Sequence, residues 1–326
     1  MILHLCLFVV GFLMLYYGAG WLVKGSSSLA RSMGWTPLVI GLTVVAFGTS
    51  APELVVSVVS SIKGKSMIAV GNVIGSNICN IALVLGLSAL IQPIKGNRSV
   101  FQRDIPIMLG VSFYLLLISL NSEIGRLEGV SLFGGIILYT GFNYYIAIKE
   151  TRNEVHDENV VFVHAAEGIE YITSGTRQVV WIAAGIIVVV AGAEILIDAA
   201  VAIMKTFGVS EKFIGLTIVA LGTSLPELAT SVVAALRKEM DISIGNLVGS
   251  NVFNILSVLG AAALVRPIPI PGGFVRSGLL IDYLFMMFVS FLPWLMMRKT
   301  CAVTRKDGVL LISCYAGYIL YLLIKN

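Results

Sequence analysis

The sequence contains one long segment twice. The first copy covers residues 40–94 and the second covers residues 214–268, so a constant offset of 174 residues aligns them without a gap, with about 30 identical positions. The shared polar or backbone-restricting residues are Thr49, Ser50, Pro52, Glu53, Asn72, Ser76, Asn77 and Asn80, which recur as Thr223, Ser224, Pro226, Glu227, Asn246, Ser250, Asn251 and Asn254. A polar group in an apolar environment costs free energy unless it forms a hydrogen bond or binds an ion. Two matching sets of polar residues in apolar segments therefore indicate that both sets have the same functional role.

Composition places the chain in the membrane. Of its 326 residues, 57% are apolar and only 12% are charged, with a mean hydropathy of +0.94, which indicates a polytopic membrane protein. The net charge of +4 is modest and scattered, so nucleic-acid binding has no support. The four cysteines show no paired spacing, so we expect no disulfide, no metal cluster and no cofactor. Cys79 is matched by Phe253 in the second copy, so we expect Cys79 to pack rather than to coordinate a metal.

The pattern of apolar runs predicts an all-α membrane protein with ten transmembrane helices. A spanning helix needs about 20 apolar residues, and such runs lie near 2–23, 37–62, 67–92, 105–120, 127–147, 178–203, 212–236, 241–265, 279–297 and 307–324. We therefore interpret 1–326 as one transmembrane domain, with a first five-helix repeat at 1–148, a polar linker at 149–177 and a second repeat at 178–326. An odd number of spans per repeat makes the repeats inverted, with the substrate site near the midplane where they meet.

Basic residues predict the orientation. With the N-terminus outside, the loops facing the cytoplasm carry about 14 Lys and Arg, whereas the opposite side carries about eight. We expect a multi-pass protein of the cell membrane, surrounded by lipid and acting as a monomer.

Prolines predict that helices 2 and 7 are broken. Pro52 has no N–H, so the carbonyl of Gly48 lacks its helical partner, and Pro226 does the same to Gly222. Backbone carbonyls freed at membrane depth are tolerated only where another group satisfies them, and a dehydrated cation is a suitable group.

The side chains beside the breaks predict a site for a hard cation. Glu53 follows Thr49 by four residues and Ser50 by three, so these oxygens share one helical face, and the second copy repeats the arrangement. A ligand set made only of oxygen suits Ca²⁺ and Na⁺ and disfavours softer metals. One Ca²⁺ would neutralise two carboxylates, whereas an empty site would strand two like charges at low dielectric. We therefore expect an obligatory exchanger.

The repeated motifs resemble a known family. GTSAPEL and GTSLPEL, with GNVIGSNICNI and GNLVGSNVFNI, are similar to the two alpha-repeats of the cation/Ca²⁺ exchanger superfamily, in its prokaryotic and archaeal Na⁺/Ca²⁺ exchanger branch. The resemblance implies that helices 2, 3, 7 and 8 surround the ions and that the long helices 1 and 6 slide to switch access. It implies Glu53 and Glu227 as principal Ca²⁺ ligands, helped by the backbone carbonyls of Thr49 and Thr223. It implies a further set that serves Na⁺ or lines the centre: Ser50, Ser76, Ser224, Ser250, the carbonyls of Ala46 and Ala220, Asn80 and Asn254.

One position departs from some relatives. An archaeal exchanger and the K⁺-dependent branch have aspartate where this chain has Asn254, which lowers our expectation of K⁺ dependence. If the family's three-for-one stoichiometry holds, the Na⁺-loaded site carries +1 and transport is electrogenic.

Three alternatives remain open. The first is a Ca²⁺/H⁺ antiporter on the same fold, because paired glutamates can trade a divalent cation for protons, although the many hydroxyls favour Na⁺. The second is an intramembrane enzyme, but no His or Lys lies within the central motifs to activate a nucleophile. The third is a channel, but two half-sites that close around ions fit alternating access better than a continuous pore. We therefore expect a transporter and not an enzyme.

Overall fold

The computed structural model describes residues 1–95, 98–154, 171–207 and 220–325, and this part of the chain is nearly all helical. The helices are α1 Ile2–Met33, α2 Pro37–Thr49, α3 Ala51–Ile62, α4 Met67–Ile91, α5 Val100–Ile118, α6 Arg126–Glu154, α7 Gly175–Thr206, α8 Ala220–Gly222, α9 Leu225–Leu236, α10 Met240–Val265, α11 Gly273–Arg276, α12 Leu279–Thr300 and α13 Arg305–Lys325. Eight of these are long and apolar enough to cross a membrane, and the bent pair α2 and α3 gives a ninth span. The chain is therefore a multi-pass membrane protein.

The predicted runs correspond to these spans with one exception. The seventh run, 212–236, begins in residues 208–219, which lie outside the described chain, and continues as α8 and α9. The ten-span layout and its inverted symmetry therefore stay predictions. The predicted linker 149–177 is helical at both ends, because α6 continues to Glu154 and α7 already begins at Gly175. Residues 155–170 of the linker also lie outside the described chain.

Both predicted helix breaks are present. α2 and α3 meet at an angle of 46°, and Ser50 between them has φ −82° and ψ 8°. Ser224 has nearly the same conformation before α9. In each case proline is the second residue of the new helix, where its missing N–H would have had no partner inside the helix.

α4 and α10 form the centre of the protein. About 72% of α4 and 83% of α10 is buried, whereas the other six long spans are only 17% to 33% buried. Each central helix contains a π-helical segment, Cys79–Leu85 in α4 and Asn254–Leu259 in α10. Such segments widen the helix locally and occur frequently at functional sites. The sequence analysis did not predict them.

α1 and α7 pack against each other as an antiparallel pair. Gly11 of α1 lies against Leu196 of α7, and Gly25 lies against Ile182, so the contacts run in opposite directions along the two helices. A Cβ atom added at either glycine would come within 3.0 Å of the partner backbone. The two helix backbones are therefore in direct contact, which glycine alone permits.

In the described part of the chain, four two-residue strands are the exception to the predicted all-α fold. They are β1 Ile94–Lys95, β2 Glu123–Ile124, β3 Ile268–Pro269 and β4 Ala302–Val303. β1 pairs with β4 and β2 pairs with β3, both antiparallel. Because extended segments leave backbone N–H and C=O groups unpaired, each segment pairs with one from the other half, and the two halves are tied together.

Candidate cation-binding site

Two fully buried glutamates lie at the helix breaks. Glu53 and Glu227 are each the third residue of their helix, α3 and α9, and neither is exposed. Their first-turn position favours a negative charge, because the backbone N–H groups of a helix start carry partial positive charge. Ser50 Oγ donates to Glu227 Oε1 over 3.0 Å, and Ser224 Oγ donates to Glu53 Oε1 over 3.5 Å. Each carboxylate is thus held by the serine of the other half, and the two breaks form one site.

The threonines of the breaks contact the central helices. Each threonine hydroxyl donates to an asparagine oxygen and lies 3.5 Å from a serine hydroxyl, and all of these partners belong to the other half. The contacts are Thr49 with Asn246 (3.0 Å) and Ser250, and Thr223 with Asn72 (3.4 Å) and Ser76. The hydroxyls that the sequence grouped with the glutamates therefore surround the same site.

Two fully buried asparagines lie in the π-helical segments of the central helices. Asn80 is the second residue of the segment in α4, and Asn254 is the first residue of the segment in α10. Asn80 Nδ2 donates to Asn251 Oδ1 over 3.3 Å, and Asn254 Nδ2 donates to Asn77 Oδ1 over 3.0 Å. Because each Nδ2 group donates its hydrogen bond to the opposite half, the Oδ1 atom of the same amide faces away from that bond.

Four buried acceptor oxygens of this site have no hydrogen-bond partner among the described residues. They are Glu53 Oε2, Glu227 Oε2, Asn80 Oδ1 and Asn254 Oδ1. An unpaired buried polar group costs about 1–3 kcal/mol, and more when it is charged. All four are acceptors in mirrored positions, so a cation satisfies them where a further acceptor could not.

Comparison with known proteins agrees with this geometry. The sodium/calcium exchanger protein family matches residues 3–145 and 177–324. The chain belongs to this family. The exchanger is 35% identical to the inner membrane protein YrbG of Escherichia coli strain K12, over 99% of this chain and 96% of YrbG. It is 28% identical to the sodium/calcium exchanger MaX1 of Methanosarcina acetivorans, over 96% of this chain and 97% of MaX1.

A solved structure gives the same result. The exchanger superposes on the sodium-calcium exchanger NCX_Mj, soaked with zero Na⁺ and Ca²⁺, with a TM-score of 0.81 and 32% sequence identity. The match covers 98% of this chain and 99% of NCX_Mj. The family resemblance stated from the motifs is therefore confirmed over nearly the whole chain.

The backbone ligands expected from the resemblance are less evident. The carbonyl of Ala46 accepts from Ser50 N over 3.0 Å and from Thr49 Oγ1 over 3.4 Å. Since a carbonyl oxygen has two lone pairs, a third interaction would displace one of these contacts. Ala220 begins α8 directly after residues 208–219, which lie outside the described chain. Sodium binding by these two carbonyls stays a prediction.

The sequence analysis missed a pair of serines that supports the site. Asn72 Nδ2 donates to Ser57 Oγ and Asn246 Nδ2 donates to Ser231 Oγ, and the donor–acceptor distance is 3.0 Å in both bonds. These bonds fix each amide so that its oxygen accepts from a threonine of the opposite half. A signal was available, because Ser57 and Ser231 are identical at the same offset of 174 residues. Cys79, in contrast, packs in the main hydrophobic core, as predicted.

Each central helix carries two glycines four residues apart, Gly71 and Gly75 in α4 and Gly245 and Gly249 in α10. A Cβ atom at Gly245 would lie 2.8 Å from Leu38 O, and one at Gly249 would lie 2.7 Å from Leu42 O. α10 therefore packs directly against the backbone of α2. The equivalent neighbour of Gly71 and Gly75 falls on residues 208–219, outside the described chain.

Proposed function

We propose that the protein is a secondary active antiporter that exchanges Na⁺ for Ca²⁺ by alternating access. The observation that carries this proposal is the pair of fully buried glutamates, each bonded to the serine of the other half and each with one oxygen unpartnered among the described residues. Two carboxylates with neutral oxygens form a suitable site for Ca²⁺. Family membership supports the same function, and Ca²⁺ and Na⁺ are substrates here rather than resident cofactors.

The proposed ligands are those that the family resemblance implies. We assign Ca²⁺ to Glu53 and Glu227, with the backbone carbonyls of Thr49 and Thr223. The remaining predicted ligands are assigned to Na⁺ or to the centre of the site: Ser50, Ser76, Ser224, Ser250, Ala46, Ala220, Asn80 and Asn254. Each serine hydroxyl at a break donates a hydrogen bond to a glutamate, so the lone pairs of its oxygen remain for a cation.

Reciprocal contacts support two inverted five-helix repeats, 1–148 and 178–326, joined by the linker 149–177. When a two-fold axis relates two halves, every contact from one half to the other has a mirrored counterpart. The serine–glutamate, threonine–asparagine and asparagine–asparagine bonds all occur in such pairs. The strand pairs β1–β4 and β2–β3 behave in the same way.

Charge provides the coupling. An empty site leaves two carboxylates buried together, which opposes the rearrangement that would carry it across the membrane. One Ca²⁺ brings the charge to zero, and three Na⁺ would bring it to +1, so exchange of three Na⁺ for one Ca²⁺ is electrogenic. We further propose that the protein works as a monomer in the cell membrane, with its N-terminus outside, and that it transports ions without catalysing a reaction.

Proteoliposomes test the proposal. A Na⁺ gradient should drive uptake of radioactive Ca²⁺, and an inside-negative potential set with a K⁺ ionophore should change its rate. Glu53→Gln and Glu227→Gln should each abolish uptake, because the site loses half of its charge. Glu123→Gln, which changes an exposed residue of β2, is the matched control and should transport normally.

Two outcomes would overturn the proposal. Full Na⁺-driven uptake by both site variants would refute the assignment of the ligands. Ca²⁺ flux driven by a pH gradient but not by a Na⁺ gradient would identify a Ca²⁺/H⁺ antiporter instead.

A further inference from the structure

A membrane-facing groove separates α5 from α6. It has a volume of about 560 Å³, within the range of roughly 300–1,000 Å³ that is typical of ligand pockets. Ile107, Gly110 and Tyr114 line one wall, and Gly135 and Phe142 line the other. The spacing of these residues places each wall on one helical face.

Two glycines, which have no side chain to fill the space, line the groove. A Cβ atom at Gly110 would meet no described atom within 4 Å, and one at Gly135 would lie 3.2 Å from Leu256 Cδ2 of α10. Leu256 is the floor of the groove and belongs to the π-helical segment that begins at Asn254. An occupant of the groove would therefore contact the segment that carries one of the unpartnered oxygens of the cation site.

The surroundings of the groove identify its occupant. Its walls are parts of two membrane spans, and Leu138 and Phe142 on its rim are 75% and 43% exposed. At this depth the surrounding medium is hydrocarbon, so the molecules next to the groove are acyl chains rather than water. One end is closed by a hydrogen bond of 2.8 Å between Tyr114 OH and Ser131 Oγ.

An ion pair lies one helical turn beyond the opposite end, outside the lining of the groove. Arg103 lies one turn before Ile107 and forms a 2.7 Å ion pair with Asp104, close to the start of α5 at the edge of the span. Polar groups at the edge of the span, followed by an apolar groove, match an amphiphile whose head group lies at the level of Arg103 and whose acyl chain enters the groove. We propose that the groove binds one glycerophospholipid, with an acyl chain between α5 and α6 against Leu256.

Binding measured in detergent tests this proposal independently of ion exchange. Purified protein is mixed with a dioleoyl phospholipid, and retained lipid is counted by native mass spectrometry. We expect the wild-type protein to retain one phospholipid more than Gly110→Leu, in which the new side chain fills the groove. Gly141→Leu, on an exposed face of α6 that does not line the groove, is the matched control and should retain the lipid.

Thermal unfolding provides a second readout, because a ligand that binds only the folded state stabilises it. Added phospholipid should raise the unfolding midpoint of the wild-type protein and of Gly141→Leu, but not that of Gly110→Leu. Val111→Phe fills the same groove and replaces Gly110→Leu if that variant does not fold. Equal lipid retention and equal stabilisation in all folded variants would overturn the proposal. So would stabilisation of the wild-type protein by a single-chain alkyl detergent to the same extent as by phospholipid.

Discussion

Replacing Gly185 of α7 by alanine is expected to force α1 and α7 apart. A Cβ atom at this position would lie 2.5 Å from Leu22 N and 2.8 Å from Leu22 Cα, both of them backbone atoms of α1. No side-chain rotation can relieve this contact. Because ordinary van der Waals contact begins at 3.4 Å, the helices must separate locally by roughly 0.9 Å.

The cost can be compared with the gain from the new residue. Overpacking a well-packed interface costs about 1–3 kcal/mol, which lowers the ratio of folded to unfolded protein about 5- to 150-fold. Alanine itself favours a helix by about 0.5–1 kcal/mol over glycine. Gly134→Ala in α6 makes the same chemical change where no described atom lies within 4 Å of the new methyl group, so it is the matched control.

Thermal unfolding of the purified variants in detergent measures the difference. Gly134→Ala should unfold at or above the temperature of the wild-type protein, and Gly185→Ala should unfold clearly below it. If the Gly185→Ala protein were as stable as the Gly134→Ala protein, the backbones of α1 and α7 could not be in contact at Leu22, and the reasoning would be wrong.

Two further predictions concern the site and its surroundings. Ser50→Ala removes the hydrogen-bond donor to Glu227 and one oxygen ligand proposed for Na⁺. Because a hydrogen bond to a charged group contributes about 1.5–3 kcal/mol, the Na⁺ concentration that half-activates Ca²⁺ efflux should rise at least ~10-fold. An unchanged Na⁺ dependence would contradict the ligand assignment. Glu239 lies between α9 and α10, and its burial raises its pKa above the ordinary value of 4.5, although Ser27 and Arg31 act to lower it. The folded protein therefore holds the carboxyl proton of Glu239 more tightly than the unfolded chain does. The stability of the protein should fall as the pH rises from 4.5 through the raised pKa. Unfolding midpoints measured across this pH range should show the fall in the wild-type protein and not in Glu239→Gln.

The sequence predicts those parts of the molecule that depend on covalent properties. Proline has no N–H, so Pro52 and Pro226 predict both helix breaks, and the break positions place Glu53 and Glu227 in the first turn of the next helix. The identical offset of the two copies then predicts that the glutamates share a site, and the bonds between the halves agree with that prediction.

Other features have no comparable signal in the sequence. The π-helical segments depend on how α4 and α10 are packed, and the two-residue strands form only when segments from opposite halves meet. The repeat also extends further than a gapless comparison can show. DIPIMLGVSF at Asp104 and DYLFMMFVSF at Asp282 share five of ten residues, but at an offset of 178, because the intervening loop is longer in the second half.

α7 contacts both helix breaks, which bears on how the exchanger switches access. A Cβ atom at Gly48 would meet Ile186 of α7, and one at Gly222 would lie 2.5 Å from Cδ1 of Ile197 of the same helix. Residues 186 and 197 are eleven apart, close to three helical turns, so they lie on one face about 16 Å apart along the axis.

Because α1 and α7 are in backbone contact through their glycines, movement of one helix along its axis carries the other with it. Such a movement would shift Ile186 and Ile197 away from both breaks at once. We infer that the α1–α7 pair is the element that links the two half-sites mechanically. A carrier needs such a link, because one access path must close as the other opens, and two independently moving gates would allow both to open together and the ions to leak.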